Sequence, residues 1–212
     1  FPNAFRERAG ALAEGLGVNT SRSVSQDETI FADGAISQWP GVTPASHFTQ
    51  AQSWLSEIND EKISGSELKS RLYGNTGMEF GWLTTMSYTE HSIAGIHSHI
   101  LDVAGHVYAS RESKLKSYYA FVNNLVPILL ENCHELVILS DHGMEVGFLN
   151  DSNPGKHSWD SFISTTLDGD LPRTMAEVSG WLAGHKTKFV GDTTTEHLDA
   201  PTDHLRDLGY FD

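Results

Sequence analysis

Five side chains in the second half of the sequence have the chemistry and the spacing of metal ligands. Asp102 is followed four residues later by His106, Asp141 is followed directly by His142, and His157 comes shortly after them. Because an Asp and a His at this spacing can turn toward one ion, the pattern predicts a centre for divalent cations. Mixed imidazole and carboxylate ligands suit zinc, and also manganese or iron, better than calcium or magnesium. We expect zinc, with manganese as the first alternative.

Each of these residues also has an ordinary interpretation when it is taken alone. Asp102 could cap a helix and Asp141 could cap a turn. A single His is commonly a hydrogen-bonded or surface residue. This interpretation applies to four histidines without ligand-like spacing, namely His134, His185, His197 and His204. The joint occurrence of the five residues favours ligation by them as a set.

The chain around the two Asp residues predicts a strand, a helix and a second strand. Residues 93–101 and 135–139 are apolar runs typical of buried strands, and residues 110–132 repeat apolar positions at helical spacing. Such a crossover predicts parallel strands, and ligands gather at the carboxyl ends of parallel strands. We therefore expect Asp102 and Asp141 at one rim of a mostly parallel sheet flanked by helices, with Gly105 and Gly143 allowing the chain to bend.

The rest of the chain predicts supporting helices within one α/β domain that spans residues 1–212. A hydrophobic content of 39% is sufficient for a sizeable core. Residues 40–90 predict a helical segment that resembles a cap. The predicted helices cover residues 5–16, 46–59, 66–73, 77–87 and 172–184, and residues 192–204 predict a polar linker.

The order Asp-x-x-Gly-His, helix, Ser-Asp-His-Gly-Met and Gly-x-His resembles the alkaline phosphatase superfamily, especially its type I phosphodiesterase and nucleotide pyrophosphatase branch. The resemblance covers residues 90–166. It implies an alkaline-phosphatase-like core, two metal ions, and hydrolysis of small-molecule phosphate esters, or of sulfate esters as in the sulfatase-like branch. Residues 205–210 are similar to the end of sulfatase-like members, and residues 29–54 are similar to haloarchaeal members. The ligands that the resemblance implies are Asp102, His106 and His157 for one ion, and Asp141 and His142 for the other.

A complete member of that superfamily also has a strand that ends in a metal-binding Asp, followed by a Thr, Ser or formylglycine nucleophile. The sequence shows no such strand after Phe1. Thr20 and Ser21 lie beside Arg22, but a polar loop that caps a helix is the simpler interpretation. We expect upstream sequence or a second chain to complete the site, and weak or no turnover by this polypeptide alone. The nucleophile stays unassigned, and a non-catalytic metal- or anion-binding relative and a purely structural α/β domain stay open as alternatives.

The charge and the cysteine content limit the partners and the compartment. A net charge of −14 disfavours nucleic acid and anionic membrane surfaces, and it is typical of chains from a high-salt cytoplasm as well as of ordinary acidic proteins. Cys133 is the single cysteine, so a disulfide within the chain is excluded and a reducing compartment is favoured. No apolar run has the length of a membrane span. These features predict a cytoplasmic protein, with a lost upstream signal peptide as the alternative.

Overall fold

A computed structural model describes residues 24–186 and shows a mixed α/β arrangement in which helices predominate. The predicted mixture of helices and strands is confirmed. The α-helices of this part are α1 (Ser46–Asn59), α2 (Gly65–Met86), α3 (Ile100–Tyr108), α4 (Glu112–Asn132) and α5 (Met175–Lys186). Its strands are β1 (Ala35–Ser37), β2 (Ala94–Ile96), β3 (Val137–Ser140), β4 (Gly143–Met144), β5 (His157–Ser158) and β6 (Phe162–Thr165).

The strands of the described part form three separate two-stranded ladders. Strands β1 and β2 pair in parallel, whereas β3 pairs with β6 and β4 pairs with β5 in antiparallel register. The two strands predicted within residues 93–101 and 135–139 therefore do not share a sheet, and the predicted mostly parallel sheet is not seen within residues 24–186. Exposure alternates along β6, which is the pattern of an antiparallel strand with one face toward solvent.

The predicted strand over residues 93–101 ends early, because a helix begins inside it. Strand β2 stops at Ile96 and α3 starts at Ile100. Ile100, Val103 and Ala104 are almost fully buried. Their spacing of three and four residues is that of a buried helix face, which the continuous apolar run had concealed. Asp102 accordingly lies in the first turn of α3 and not at the end of a strand, as the sequence had suggested.

The long helices agree well with their sequence patterns. Residues 46–59 form α1 as predicted, and the helix predicted over 110–132 is present as α4. The two helices predicted over 66–73 and 77–87 are one continuous helix, α2. Ser64 caps the N-terminus of this helix, because its hydroxyl accepts a hydrogen bond from the amide of Glu67. The predicted final helix is shifted by a few residues to α5. Predictions for residues 5–16, 192–204 and 205–210, and those on Thr20, Ser21, His197 and His204, lie outside the described residues.

The hydrophobic core lies among helices α1 to α4, and it fixes the position of α3. Leu68 of α2, Ala104 of α3 and Tyr118 of α4 have 0%, 0% and 1% of their surface exposed. Tyr73 of α2 stacks on Phe121 of α4 with ring centroids 3.7 Å apart. Burial of this kind is worth about 25 cal/mol for each Å² of apolar surface removed from water. Helix α3 is therefore held firmly along one face.

No helix within the described range is long and apolar enough to cross a membrane.

Candidate metal centre

Helix α3 presents Asp102 and His106 side by side on its solvent-facing side. The two residues are four positions apart, and Asp102 Oδ1 lies 3.4 Å from His106 Nε2. Asp102 stands in the first turn, where a negative charge is favoured by the helix dipole. The predicted bend at Gly105 is wrong, since this residue is buried within the helix. A Cβ atom added to Gly105 would lie 2.7 Å from Met144 Cε, so the glycine allows α3 to pack closely on β4.

The β4–β5 ladder brings His157 to the same place. His157 pairs with Met144. Next to this pair, the amide of Glu145 donates a hydrogen bond to the carbonyl oxygen of Lys156, and the amide of Gly155 donates one to the carbonyl oxygen of Glu145. His157 Nε2 lies 3.1 Å from Asp102 Oδ1 and 3.1 Å from His106 Nε2. A helix and a hairpin that are distant in sequence thus bring three potential ligands together.

These three residues have the geometry of a metal site. One ligand atom from each of Asp102, His106 and His157 lies within 4.8 Å of the other two. Tetrahedral zinc, with bonds of about 2.0–2.1 Å, separates its ligand atoms by about 3.3–3.4 Å, close to the 3.1–3.4 Å found between these atoms. His106 Nδ1 donates a hydrogen bond of 2.8 Å to the carbonyl oxygen of Gly155. This bond leaves Nε2 free, as in most metal-bound histidines. The three residues could therefore hold a metal ion.

Asp141 and His142 lie beside this group but are not members of it. Asp141 directly follows strand β3, as predicted. His142 Nε2 lies 3.6 Å from Asp141 Oδ1 and 3.9 Å from Asp102 Oδ1. The His142 ring stacks on that of His157, with centroids 3.7 Å apart and planes inclined by 15°. All five predicted ligands are thus brought to one place, and three of them form the compact group.

The charges of the cluster act strongly on one another. Burial alone would raise the pKa of Asp102, but the hydrogen bond and charge of His106, together with the charges of His157 and His142, hold that pKa below its ordinary value. The hydrogen bond to Asp102 raises the pKa of His106, and burial opposes this effect only in part. Asp102 is therefore an anion at neutral pH and is available to a cation. Its side chain is 30% exposed and that of His157 is 47% exposed, so the cluster is open to solvent.

Two histidines near the cluster, His97 and His99, are not among the residues predicted from the sequence. His97 Nδ1 and His99 Nε2 lie 2.9 Å apart, and the His99 ring contacts that of Phe48. Burial lowers the pKa of His97, against the opposing charges of Asp141 and Asp102. Burial, with the charge of His97, lowers the pKa of His99 to about 4. The signal was the His-x-His sequence just before Asp102, which was concealed when residues 93–101 were interpreted as a strand.

A buried polar group lies behind His99. Glu79 on α2 accepts a hydrogen bond of 2.9 Å from His47 Nδ1, and its side chain is only 3% exposed. Glu79 Oε2 and Ser98 Oγ are buried, and neither atom has a hydrogen-bond partner within residues 24–186. Burial raises the pKa of Glu79, while Ser98 and His47 oppose the rise. This group connects α1 and α2 to the segment that leads into α3.

The other residues considered from the sequence lie away from the cluster or at its edge. His185 contacts the carbonyl oxygens of Trp181 and Asp168 at 2.9 and 3.1 Å. His134 is exposed, and Cys133 is half-buried directly after α4. Lys156 is exposed and precedes His157.

Comparisons with known proteins do not assign a family to this geometry. No family model, no curated protein and no solved structure matches the chain.

Proposed function

We propose that this protein is a metal-dependent hydrolase of small-molecule phosphate esters, related to the alkaline phosphatase superfamily, with sulfate esters as a second substrate class. The observation that carries the proposal is the convergence of Asp102, His106 and His157, whose ligand atoms lie within 4.8 Å of one another. The relationship to the superfamily, including an alkaline-phosphatase-like core, rests on the order of the motifs in the sequence.

The proposed centre holds two divalent ions, with zinc favoured and manganese as the alternative. Asp102, His106 and His157 would hold one ion, and Asp141 with His142 would contribute to the other. When bound, the ions would supply Lewis-acid stabilisation of the negative charge on an ester. His106 is oriented for this task by its hydrogen bond to Gly155.

The surroundings of the cluster support a small anionic substrate. The ligand side chains are between 28% and 65% exposed, so an ester can reach them from solvent. Lys156 beside His157 offers a positive charge to an anion. The net charge of −14 disfavours a nucleic-acid scaffold or an anionic membrane as partner. A cytoplasmic location belongs to the same proposal and rests on the single cysteine.

The nucleophile is not assigned to a residue. Within residues 24–186, no Ser or Thr hydroxyl is hydrogen-bonded to any of the five proposed ligands. Slow turnover by the present chain, and a nucleophile supplied from outside the described residues or by a second chain, belong to the proposal. The second candidate function is that of a non-catalytic relative that binds a metal or an anion, which needs no nucleophile.

Hydrolysis of model esters distinguishes the two functions. The chain is freed of metal, loaded with zinc or manganese, and assayed with p-nitrophenyl phosphate, bis(p-nitrophenyl) phosphate and p-nitrophenyl sulfate. The hydrolase proposal expects metal-dependent release of p-nitrophenol that disappears in His106→Ala and persists in His134→Ala, a change at an exposed histidine outside the cluster. Stoichiometric metal binding without any turnover would overturn hydrolysis by the present chain and leave the binding function.

A further inference from the structure

A single carboxylate oxygen lies at the centre of the histidine cluster. Asp102 Oδ1 is 3.1 Å from His157 Nε2, 3.4 Å from His106 Nε2 and 3.9 Å from His142 Nε2. The three imidazoles come from α3, from β5 and from the segment between β3 and β4. Asp102 therefore belongs to the compact group of three and also lies next to His142 of the Asp141–His142 pair.

The stacking of His142 on His157 indicates that these rings serve neighbouring ions and not the same one. The rings are nearly parallel and 3.7 Å apart. The lone pair of an imidazole nitrogen lies in the plane of its ring, so parallel rings direct their lone pairs at separate points. One ion cannot lie in both ring planes and close to both nitrogen atoms, so the two rings would serve separate ions.

Hydrogen bonds to the backbone leave the required nitrogen atoms free. His142 Nδ1 donates to the carbonyl oxygen of Gly143 at 3.1 Å, as His106 Nδ1 does to Gly155. In both residues Nε2 is the remaining ring nitrogen, and in both it faces Asp102. Asp141 Oδ1 lies 3.6 Å from His142 Nε2 on the side of solvent, where it can join the same ion.

We propose that Asp102 is a bridging ligand shared by two ions, one held with His106 and His157 and the other with His142 and Asp141. The inference rests on the proposed function in that it concerns the same centre, and it adds a shared carboxylate to that function. The competing arrangement is a single ion for which His142 is the fourth ligand.

Counting bound ions in matched variants separates the two arrangements. The metal-free full chain is titrated with Mn²⁺, and bound manganese is measured by equilibrium dialysis and by electron paramagnetic resonance. If Asp102 bridges two ions, each chain should bind two Mn²⁺ ions, and their electron paramagnetic resonance spectrum should be that of an exchange-coupled pair. His106→Ala and His142→Ala should each retain one ion and lose the coupling, and His134→Ala should retain both ions. Asp102→Asn should weaken both sites at least tenfold, whereas Asp141→Asn should weaken one.

Two results would overturn the shared carboxylate. One is a single ion in the unchanged chain whose affinity falls in His142→Ala, which would make His142 a fourth ligand. The other is an Asp102→Asn protein that folds, by circular dichroism, and retains one site at full affinity. The histidine variants give an answer even where Asp102→Asn does not fold. Two coupled ions without ester turnover would contradict the hydrolase only, and turnover supported by one ion would contradict the bridge only.

Discussion

The Nε2 atoms of His106 and His157 lie 3.1 Å apart, although the residues are 51 positions apart in the sequence. Both atoms also face Asp102 Oδ1. Two unprotonated imidazole nitrogens repel each other at this distance, and a cation between them converts the repulsion into ligation. The arrangement is therefore most stable when a proton or a metal ion is bound.

Zinc should for this reason stabilise the folded protein. A ligand that binds only the folded state at a hundred times its Kd adds about 2.7 kcal/mol to the free energy of unfolding. Urea denaturation with zinc and with a chelator measures this difference. We expect the full difference in the unchanged chain and in His134→Ala, and a smaller difference in His106→Ala, which lacks one ligand of the centre. Equal stabilisation of the His106→Ala protein would show that zinc binds elsewhere.

Gly155 should be needed for metal affinity and not only for the turn. Its φ of +88° lies in the left-handed region, and its carbonyl oxygen accepts the hydrogen bond from His106 Nδ1. Gly155→Ala should lower the free energy of unfolding by about 1–2 kcal/mol and weaken zinc binding about tenfold through the displaced carbonyl.

Gly169 provides the matched control for that change. Its φ of +104° is also left-handed, and a Cβ atom there would meet nothing within 4 Å. Gly169→Ala should therefore cost similar stability and leave zinc affinity unchanged in calorimetric titrations. A similar loss of affinity in both variants would mean that backbone strain, and not the orientation of His106, is responsible.

The buried His99 should make the metal-free protein sensitive to mild acid. Its folded-state pKa of about 4 lies below the ordinary value of 6.5, so the unfolded chain binds a proton that the folded chain excludes. Its contribution is fully present above about pH 6.5 and is lost as the pH falls toward 4, by on the order of 3 kcal/mol. In the presence of chelator, the free energy of unfolding of His99→Gln should rise relative to that of the unchanged chain as the pH is lowered through this window. A constant difference would contradict the prediction.

Glu79 should show the opposite dependence on pH. Burial raises its pKa, so the folded state favours the proton and stability is lost as the pH rises above the ordinary value of 4.5. Glu79→Gln removes the buried charge and keeps an oxygen that can accept from His47. The free energy of unfolding of Glu79→Gln, compared with that of the unchanged chain, should therefore increase with pH in denaturation series at matched ionic strength. A decrease would indicate that the ionised Glu79 is stabilised by His47 more strongly than it is penalised by burial.

Local sequence patterns predicted the helices better than the pairing of strands. The helical spacing of apolar residues predicted α1 and α4 correctly, because each of these helices buries one face and exposes the other. The same spacing exists in Ile100, Val103 and Ala104, but it lay within an apolar run and was interpreted as a strand. The predicted proximity of Asp102 and His106 is nevertheless found, because residues four apart share one face of a helix.

What the sequence could not supply was the arrangement of elements that are distant along the chain. The antiparallel pairing of β3 with β6 and the docking of α3 on β4 depend on packing, for instance on the space left by Gly105 beside Met144. The proximity of His142 to Asp102, and the His97–His99 contact, follow from that docking and have no local pattern of their own.

The zinc content of the purified chain shows whether Asp102, His106 and His157 form a metal centre. The protein is incubated with zinc, dialysed against metal-free buffer and analysed for metal, together with an Asp102→Ala His106→Ala double variant and His134→Ala. We expect at least one zinc per chain in the unchanged protein and in His134→Ala, and none in the double variant. An unchanged chain without stoichiometric metal, or a folded double variant that retains it, would contradict a metal centre built on Asp102, His106 and His157.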